Sequence, residues 1–459
     1  MSSHEHVNVE SVLRSLMDFQ RRSVEYVFDR LYGENATRRF LLADEVGLGK
    51  THVARGVIAK SIQHLHAAGE KRIDVVYICS NTEIARQNIT RLNVTGQDDF
   101  QLASRITMLP QTVRELEENT LNFISFTPGT SFNLGNTEGK GEERWMLYWL
   151  LKWTWPKLSE GTGAKNVLQG RMSREKFRGW LNDYEPTSSI DRKLAKQFSK
   201  QLRETDKQRR ADGKSTYNQR FWDLCRRFAW SRKHIPADDR HKRKAFIGEM
   251  RALLAATCIE ALEPDLIILD EFQRFKNLLN PDNYAGALAR HLFAWGEARV
   301  LLLSATPYKM YTLSHETDDD DHYRDFVDTL RFLFDDEERT QSVKALLADY
   351  GHACAGADRN ELEPLRQVKR RLETELRRVM CRTEKLAVTD DRSGMLRDAE
   401  GPGIQLRPEH VRCYLGTKRI ADALKHRDIV DYWKASPYLL NLMGSDHYKL
   451  KSLLHEGLN

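Results

Sequence analysis

The chain is organised around Arg38-Arg-Phe-Leu-Leu-Ala-Asp-Glu-Val-Gly-Leu-Gly-Lys-Thr51. An apolar run (Phe40, Leu41, Leu42) meets a glycine-bearing turn, then Gly49-Lys50-Thr51, then His52-Val-Ala-Arg-Gly-Val-Ile-Ala-Lys60 at helical spacing. Strand, loop and helix start in that order let backbone N–H groups wrap a phosphate. Gly47, Leu48 and Gly49 would form the cradle, Lys50 would reach the β- and γ-phosphates, and the Thr51 hydroxyl would ligate Mg²⁺. Asp44 stands where the general pattern G-x-x-x-x-G-K-[ST] has its first glycine, so the match is narrower than that pattern.

Outward from this loop, 459 residues leave room for two to four domains, and 40% hydrophobic with 30% charged residues describes a globular chain rather than a disordered one. No apolar run approaches the roughly 18 residues of a membrane span; the longest, around residues 300–305, suits a buried strand. The N-terminus Met-Ser-Ser-His-Glu-His lacks the apolar core of a signal peptide. The 6 cysteines contain no C-x-x-C pair, so they read as reduced thiols of a cytoplasmic protein without a zinc site. His352 and Cys354 read as ordinary loop residues.

The net charge of +6 is unevenly placed: residues 192–251 hold 19 Lys/Arg against 7 Asp/Glu. One segment carries the whole basic excess, which bears on partners.

Helical spacing of Phe19, Val24, Val27, Phe28 and Leu31 predicts an amphipathic helix from about Asp18. Buried strands are expected at 73–79, 106–109, 121–126, 265–269 and 299–303, separated by helical stretches. That alternation predicts an α/β fold, a parallel sheet with helices on both faces, whose ligands lie beyond the carboxyl ends of the strands. Between the strands at 121–126 and 265–269 the gap far exceeds what a crossover helix needs. It holds Trp145, Trp149, Trp153, Trp155, Trp180, Trp222 and Trp230 with the basic segment, and reads as a helical insertion over 135–258. After Pro307 come an acidic loop at 315–322, a long helix carrying Leu365 to Met380 on one face, and a linker at Gly401-Pro-Gly with Pro408.

Nucleotide hydrolysis also needs an acid that holds Mg²⁺ and one that orients water. Leu266-Ile-Ile-Leu-Asp270-Glu271-Phe272-Gln273 offers both at a strand end, Asp270 for the metal and Glu271 for the water. The alternative is a strand closing on two solvated acids.

The run Asp44-Glu-Val-Gly-Leu-Gly-Lys-Thr51 resembles the phosphate loop of superfamily 2 helicase-like ATPases, particularly the Swi2/Snf2 type, D-E-x-G-L-G-K-T. Asp270-Glu271 is similar to the D-E-A-H box, departing from it at Phe272 and Gln273, and Arg274-Phe-Lys-Asn277 continues the likeness. Ser304-Ala-Thr306 is similar to the S/T-A-T motif. The resemblance runs in order from about residue 15 to 310 and implies a RecA-like P-loop lobe that binds and hydrolyses ATP with Mg²⁺. It gives Gln20 to adenine, with a plain surface glutamine as the alternative, and gives coupling to Gln273, Ser304 and Thr306. Ser80, Thr82 and Arg86 fall where motif Ia grips a nucleic-acid strand, and Ser125, Thr127, Gly129 and Thr130 where the Ib region does; helix caps and turns are the alternative. Nucleic acid is the implied partner, DNA ahead of RNA. A second RecA-like lobe in cis or trans is implied too, since no Q-x-x-G-R-x-x-R and no further strand series follows residue 390. Arg377-Arg378 and Arg382-Thr-Glu-Lys385 fit the segment that leads to such a lobe. The insertion would contact nucleic acid, through Arg226 and Arg227 among others, or a protein partner, or be a helical module with its tryptophans in a core.

The expected organisation is a first part of the lobe over 1–134, the insertion over 135–258, the second part over 259–312, a helical connection over 313–400 and a C-terminal segment over 401–459. The alternative function is a nucleotide-gated binding module with incidental turnover. A signalling ATPase of AAA or STAND type fits Ser304-Ala-Thr306 poorly.

Overall fold

The computed structural model describes residues 7–80, 82–94, 105–132, 134, 138–159, 161–230, 235–278, 284–304, 322–355, 362–384 and 407–423. The chain divides into two units, residues 1–307 with 328–384, and residues 308–327 with 385–459. The first holds a sheet of β1 (Arg39–Leu42), β2 (Ile73–Ile78), β3 (Leu121–Phe126), β4 (Leu266–Asp270), β5 (Arg299–Leu303) and β6 (Met380–Cys381), in the order β3-β2-β4-β5-β1-β6 with every pair parallel.

Both faces of this sheet are covered, which is why its strands read as unbroken apolar runs. Phe40, Leu42, Val75, Tyr77, Leu266, Ile268, Leu301 and Leu303 share one core with α1 (Val9–Arg14), α2 (Asp18–Tyr32), α3 (Lys50–Ala67) and α4 (Thr82–Leu92). The alternate residues Leu41, Val76, Ile78, Ile267, Leu269, Val300 and Leu302 are equally buried. Two short helices, α5 (Val113–Glu118) and α6 (Pro128–Ser131), flank β3 in sequence.

The long gap is helical. It carries α7 (Gly141–Thr154), α8 (Pro156–Ser159), α9 (Thr162–Gln169), α10 (Arg174–Asp183), α11 (Pro186–Ser189), α12 (Arg192–Ala211), α13 (Tyr217–Arg227) and the 26-residue α14 (Ala237–Leu262), and it belongs to the same unit as the sheet. A buried ionic cluster fastens it there. Glu143 on α7, fully buried, accepts from Arg251 of α14 at 2.8 and 3.0 Å, and from Arg105 at 3.0 Å and Thr107 at 2.5 Å in the segment that precedes α5. Burial alone would raise its carboxyl, but Arg251, Thr107 and the Lys140 N–H bring it below the usual range. Arg72 then donates to the Leu262 carbonyl at 3.2 Å, closing the end of α14 just before β4. Trp145 is buried and its indole donates to the Trp180 carbonyl at 3.0 Å. Trp155 packs on Phe221. Trp222 and Trp230 face solvent.

The chain continues through α15 (Tyr284–Phe293), α16 (His322–Phe334), α17 (Glu337–Ala355) and α18 (Glu363–Leu376); the second unit contains α19 (Pro408–Ala423). Several expectations are corrected. Residues 106–109 form no strand but a 3-10 helix, Ile106–Gln111: Pro110 cannot donate to a ladder, and Ile106 and Leu109, three apart, are both buried. The long helix ends at Leu376, and the residues after it add β6 beside β1, with Leu41 N–H donating to the Val379 carbonyl at 2.8 Å. His352 and Cys354 lie on α17, not in a loop. Pro408 opens α19, where a missing N–H costs nothing, while residues 401–406 and the acidic loop up to 321 lie outside the described residues.

Candidate nucleotide site

In sheet order β4, β5 and β1 are neighbours, so their carboxyl ends bring three sequence features to one edge: Asp270, Ser304 and the loop after Leu42. One strand stands between the strand bearing the loop and the strand bearing the acids, the RecA-like arrangement.

The loop turns at Gly47 (φ 90) and Gly49 (φ 79), left-handed conformations that favour glycine. A Cβ on Gly49 would also stand 2.6 Å from Gln20 Nε2. Gln20 is buried at the start of α2; its Oε1 accepts from Met17 N–H at 3.0 Å and its Nε2 donates to the Leu48 carbonyl at 3.0 Å. An amide has two donors and two acceptor sites, so these two bonds use one of each. Lys50 and Thr51 open α3, both half-buried. Lys50 Nζ donates back to the Asp44 and Glu45 carbonyls at 3.1 and 3.4 Å. Burial lowers the pKa of this ammonium, against the opposing pull of Asp44, Asp270 and Glu271. In the sheet the strand that feeds this loop lies one strand away from the strand that ends at Asp270 and Glu271.

Asp44 is wholly buried. Its Oδ1 accepts from the Thr383 N–H at 2.6 Å, while its Oδ2 has no hydrogen-bond partner. Around it Ala43 N–H donates to the Cys381 carbonyl, Glu45 N–H to the Thr383 carbonyl, and Arg382 to the Ala43 carbonyl at 3.3 Å. The glycine loop is thus stitched to the segment following β6. Burial raises the Asp44 carboxyl above its ordinary range despite Thr383 and Lys50.

Asp270 is held from two sides. The Tyr77 hydroxyl of β2 donates to its Oδ2 at 2.6 Å, and Asn88 of α4 donates to that same Oδ2 at 3.3 Å and to the Tyr77 oxygen at 2.8 Å. Burial and the Asp270 charge push the Tyr77 phenol far above its usual range, so it stays a donor. Glu271 adopts φ 52, a left-handed conformation that is strained for a side-chain-bearing residue, and its carboxylate pairs with Arg274 at 2.9 Å. Phe272 is buried, and Gln273 Oε1 is buried without a hydrogen-bond partner. Ser304 is buried, its N–H donating to the Leu42 carbonyl at 3.0 Å, which ties β5 to the strand feeding the loop. Thr306 lies outside the described residues.

Of the residues given to nucleic acid, Ser80 and Thr127 stand past the ends of the neighbouring strands β2 and β3. Thr127 is buried at the N-cap of α6, and Ser80 is half-buried. Arg86 belongs to α4, its side chain outside the described residues. Arg226 and Arg227 are exposed at the end of α13 on the insertion, and Arg227 pairs with Asp239 at 2.9 Å.

A magnesium ion fits the donor set. Both hydrogen bonds to Asp270 arrive on Oδ2, and with the Thr51 hydroxyl its Oδ1 supplies hard oxygen. Among the described residues no group of three His, Cys, Asp or Glu side chains could hold a metal alone, so phosphates and water would complete the shell.

Sequence reasoning missed Tyr77, Asn88 and Thr383. A tyrosine in the apolar run Ile73–Ile78, facing the same side as Val75, was the available signal for the first; nothing local marks the other two.

The fold and the site together define a RecA-like P-loop lobe. No family model and no curated protein matches the chain. Among solved structures it is similar to the SWI2/SNF2 ATPase core of Sulfolobus solfataricus in complex with dsDNA, at 11% identity over 96% of this chain and 63% of that one, with a TM-score of 0.32. This chain spans under two thirds of that structure's length, and so loose a superposition bears on neither chemistry nor partners.

Proposed function

We propose that the chain binds ATP with Mg²⁺ at Asp44–Thr51 and hydrolyses it as the ATPase lobe of a Snf2-like, nucleic-acid-dependent motor, with a second RecA-like lobe in cis or trans. One observation carries this: the sheet order β4-β5-β1 brings the glycine loop that ends in Lys50 and the acids Asp270 and Glu271 to the same carboxyl edge of the sheet. In this reading Lys50 leaves the Asp44 and Glu45 carbonyls for phosphate oxygens, and the Gly47–Gly49 amides cradle the remaining charge. Glu271 leaves Arg274 and orients the attacking water, while Gln20 holds the adenine. Thr51 and Asp270 hold the metal, which when bound neutralises charge on the β- and γ-phosphoryl oxygens. Ser80, Arg86 and Thr127, at one rim of the sheet, would meet a strand of DNA through hydroxyl, guanidinium and backbone groups.

The test is steady-state phosphate release with and without DNA. Lys50→Ala should lose nucleotide binding and turnover together, and Glu271→Gln should keep binding while losing turnover by a factor on the order of 10³. Turnover unchanged in both variants would sink the proposal. A second reading, a nucleotide-gated binding module, is favoured by the ion pair that occupies Glu271. It predicts that Glu271→Gln preserves the biological function and Lys50→Ala does not.

A further inference from the structure

Along α12, Arg192, Lys196, Lys200, Arg203 and Lys207 recur at steps of four, four, three and four residues, which puts them on one face over about 22 Å. Leu194, Phe198 and Leu202 bury the opposite face. All five cations are exposed, and among the described residues none has an ion pair or hydrogen bond. Neighbouring cations of the insertion do: Lys193 pairs with Glu117 at 3.2 Å, and Arg220 with Glu249 at 2.6 Å. The stripe is also not a plain convex surface. It borders a groove of 700 Å³ that the half-buried Trp153 of α7 also lines, and among the described lining residues Glu204 is the one carboxylate.

We propose that this groove is a binding track for single-stranded nucleic acid. The five cations would neutralise successive phosphates, and the Trp153 indole would offer a stacking face to an unpaired base. A duplex presents no free base face, so an aromatic ring beside a cationic stripe selects the single strand. This deepens the nucleic-acid part of the function proposed above and rests on none of its ATP chemistry. Within the basic segment 192–251 it puts the contact on α12 rather than on Arg226 and Arg227.

Fluorescence anisotropy of the full chain with labelled oligothymidine of about 20 nucleotides, without ATP and over a salt series, tests it. For single strands log K falls with log salt by about 0.7 per phosphate neutralised. The triple variant K196A/R203A/K200A should therefore flatten the slope by about 2 and weaken binding at low salt by more than tenfold. Trp153→Phe, which keeps a ring and guards against loss of fold, should weaken binding at every salt concentration alike. Circular dichroism checks that each variant is folded. The assignment is overturned if the triple variant keeps the wild-type slope, if R226A/R227A carries the loss instead, or if polyglutamate competes as well as oligothymidine. Tighter binding of a duplex of equal length overturns it too. With no ATP present, the result reads the same whether or not the loop hydrolyses nucleotide, so the two proposals fail separately.

Discussion

Asp44 shows how one residue can be informative for two reasons. In the sequence it is the departure from the general phosphate-loop pattern; in the structure it is a buried carboxylate whose Oδ1 takes the Thr383 N–H, 339 residues away. A carboxyl raised by burial makes the folded state bind the proton more tightly than the unfolded chain does. Its contribution is therefore fully present below the ordinary carboxylate range and lost as pH rises through the raised value. Asp44→Asn removes that dependence: the variant's melting temperature relative to wild type should rise between acid and neutral pH. Asp44→Ala deletes the acceptor of a buried N–H and should cost about 1–3 kcal/mol by denaturant unfolding. For Asp270 the partner to remove is Tyr77. Tyr77→Phe keeps the ring and loses one hydrogen bond to a carboxylate, so turnover should fall about tenfold with KM for ATP little changed. A fall in KM alone would show that the hydroxyl does not position the acid.

At the scale of elements, the strands were legible because a parallel sheet covered on both faces forces continuous apolar runs. The segment 106–109 misled because an apolar run that short fits a strand or a tight helix equally, and Pro110 decided between them. β6 was hidden because two residues pairing with β1 leave no periodic signal. The joining of α7 and α14 was hidden too, since Glu143 and Arg251 stand 108 residues apart. Arg251→Ala leaves the Glu143 carboxylate buried without its main partner, and should cost about 3–5 kcal/mol of unfolding free energy. The pH dependence has the opposite sign to that of Asp44. Glu143 is depressed in the fold, so its stabilisation is present above the ordinary carboxylate range and lost as pH falls through the lower, folded value. Acid unfolding of wild type should be steeper than that of Glu143→Gln.

Over the whole molecule, the basic excess divides. Some cations of 192–251 are engaged with carboxylates inside the insertion, while among the described residues the α12 stripe is not. Among the described residues no helix is long and apolar enough to cross a membrane. If ATP binds only the folded chain, thermal scans should show a concentration-dependent rise in melting temperature, about 2.7 kcal/mol of added stability at a hundredfold excess over Kd. Lys50→Ala should abolish that rise.

The glycine loop at 44–51, the acids after β4 and the parallel α/β class were all legible in the chain alone. Each depends on neighbours in the chain: a glycine turn that frees amides, a helix start, an apolar run that ends. The tertiary structure alone decided that β5 separates the loop from the acids and that Thr383 grips Asp44. It alone put Tyr77 on Asp270, 193 residues away, and left five cations on α12 facing an open groove. Those are pairings between distant segments, which the hydrophobic pattern brings together without naming.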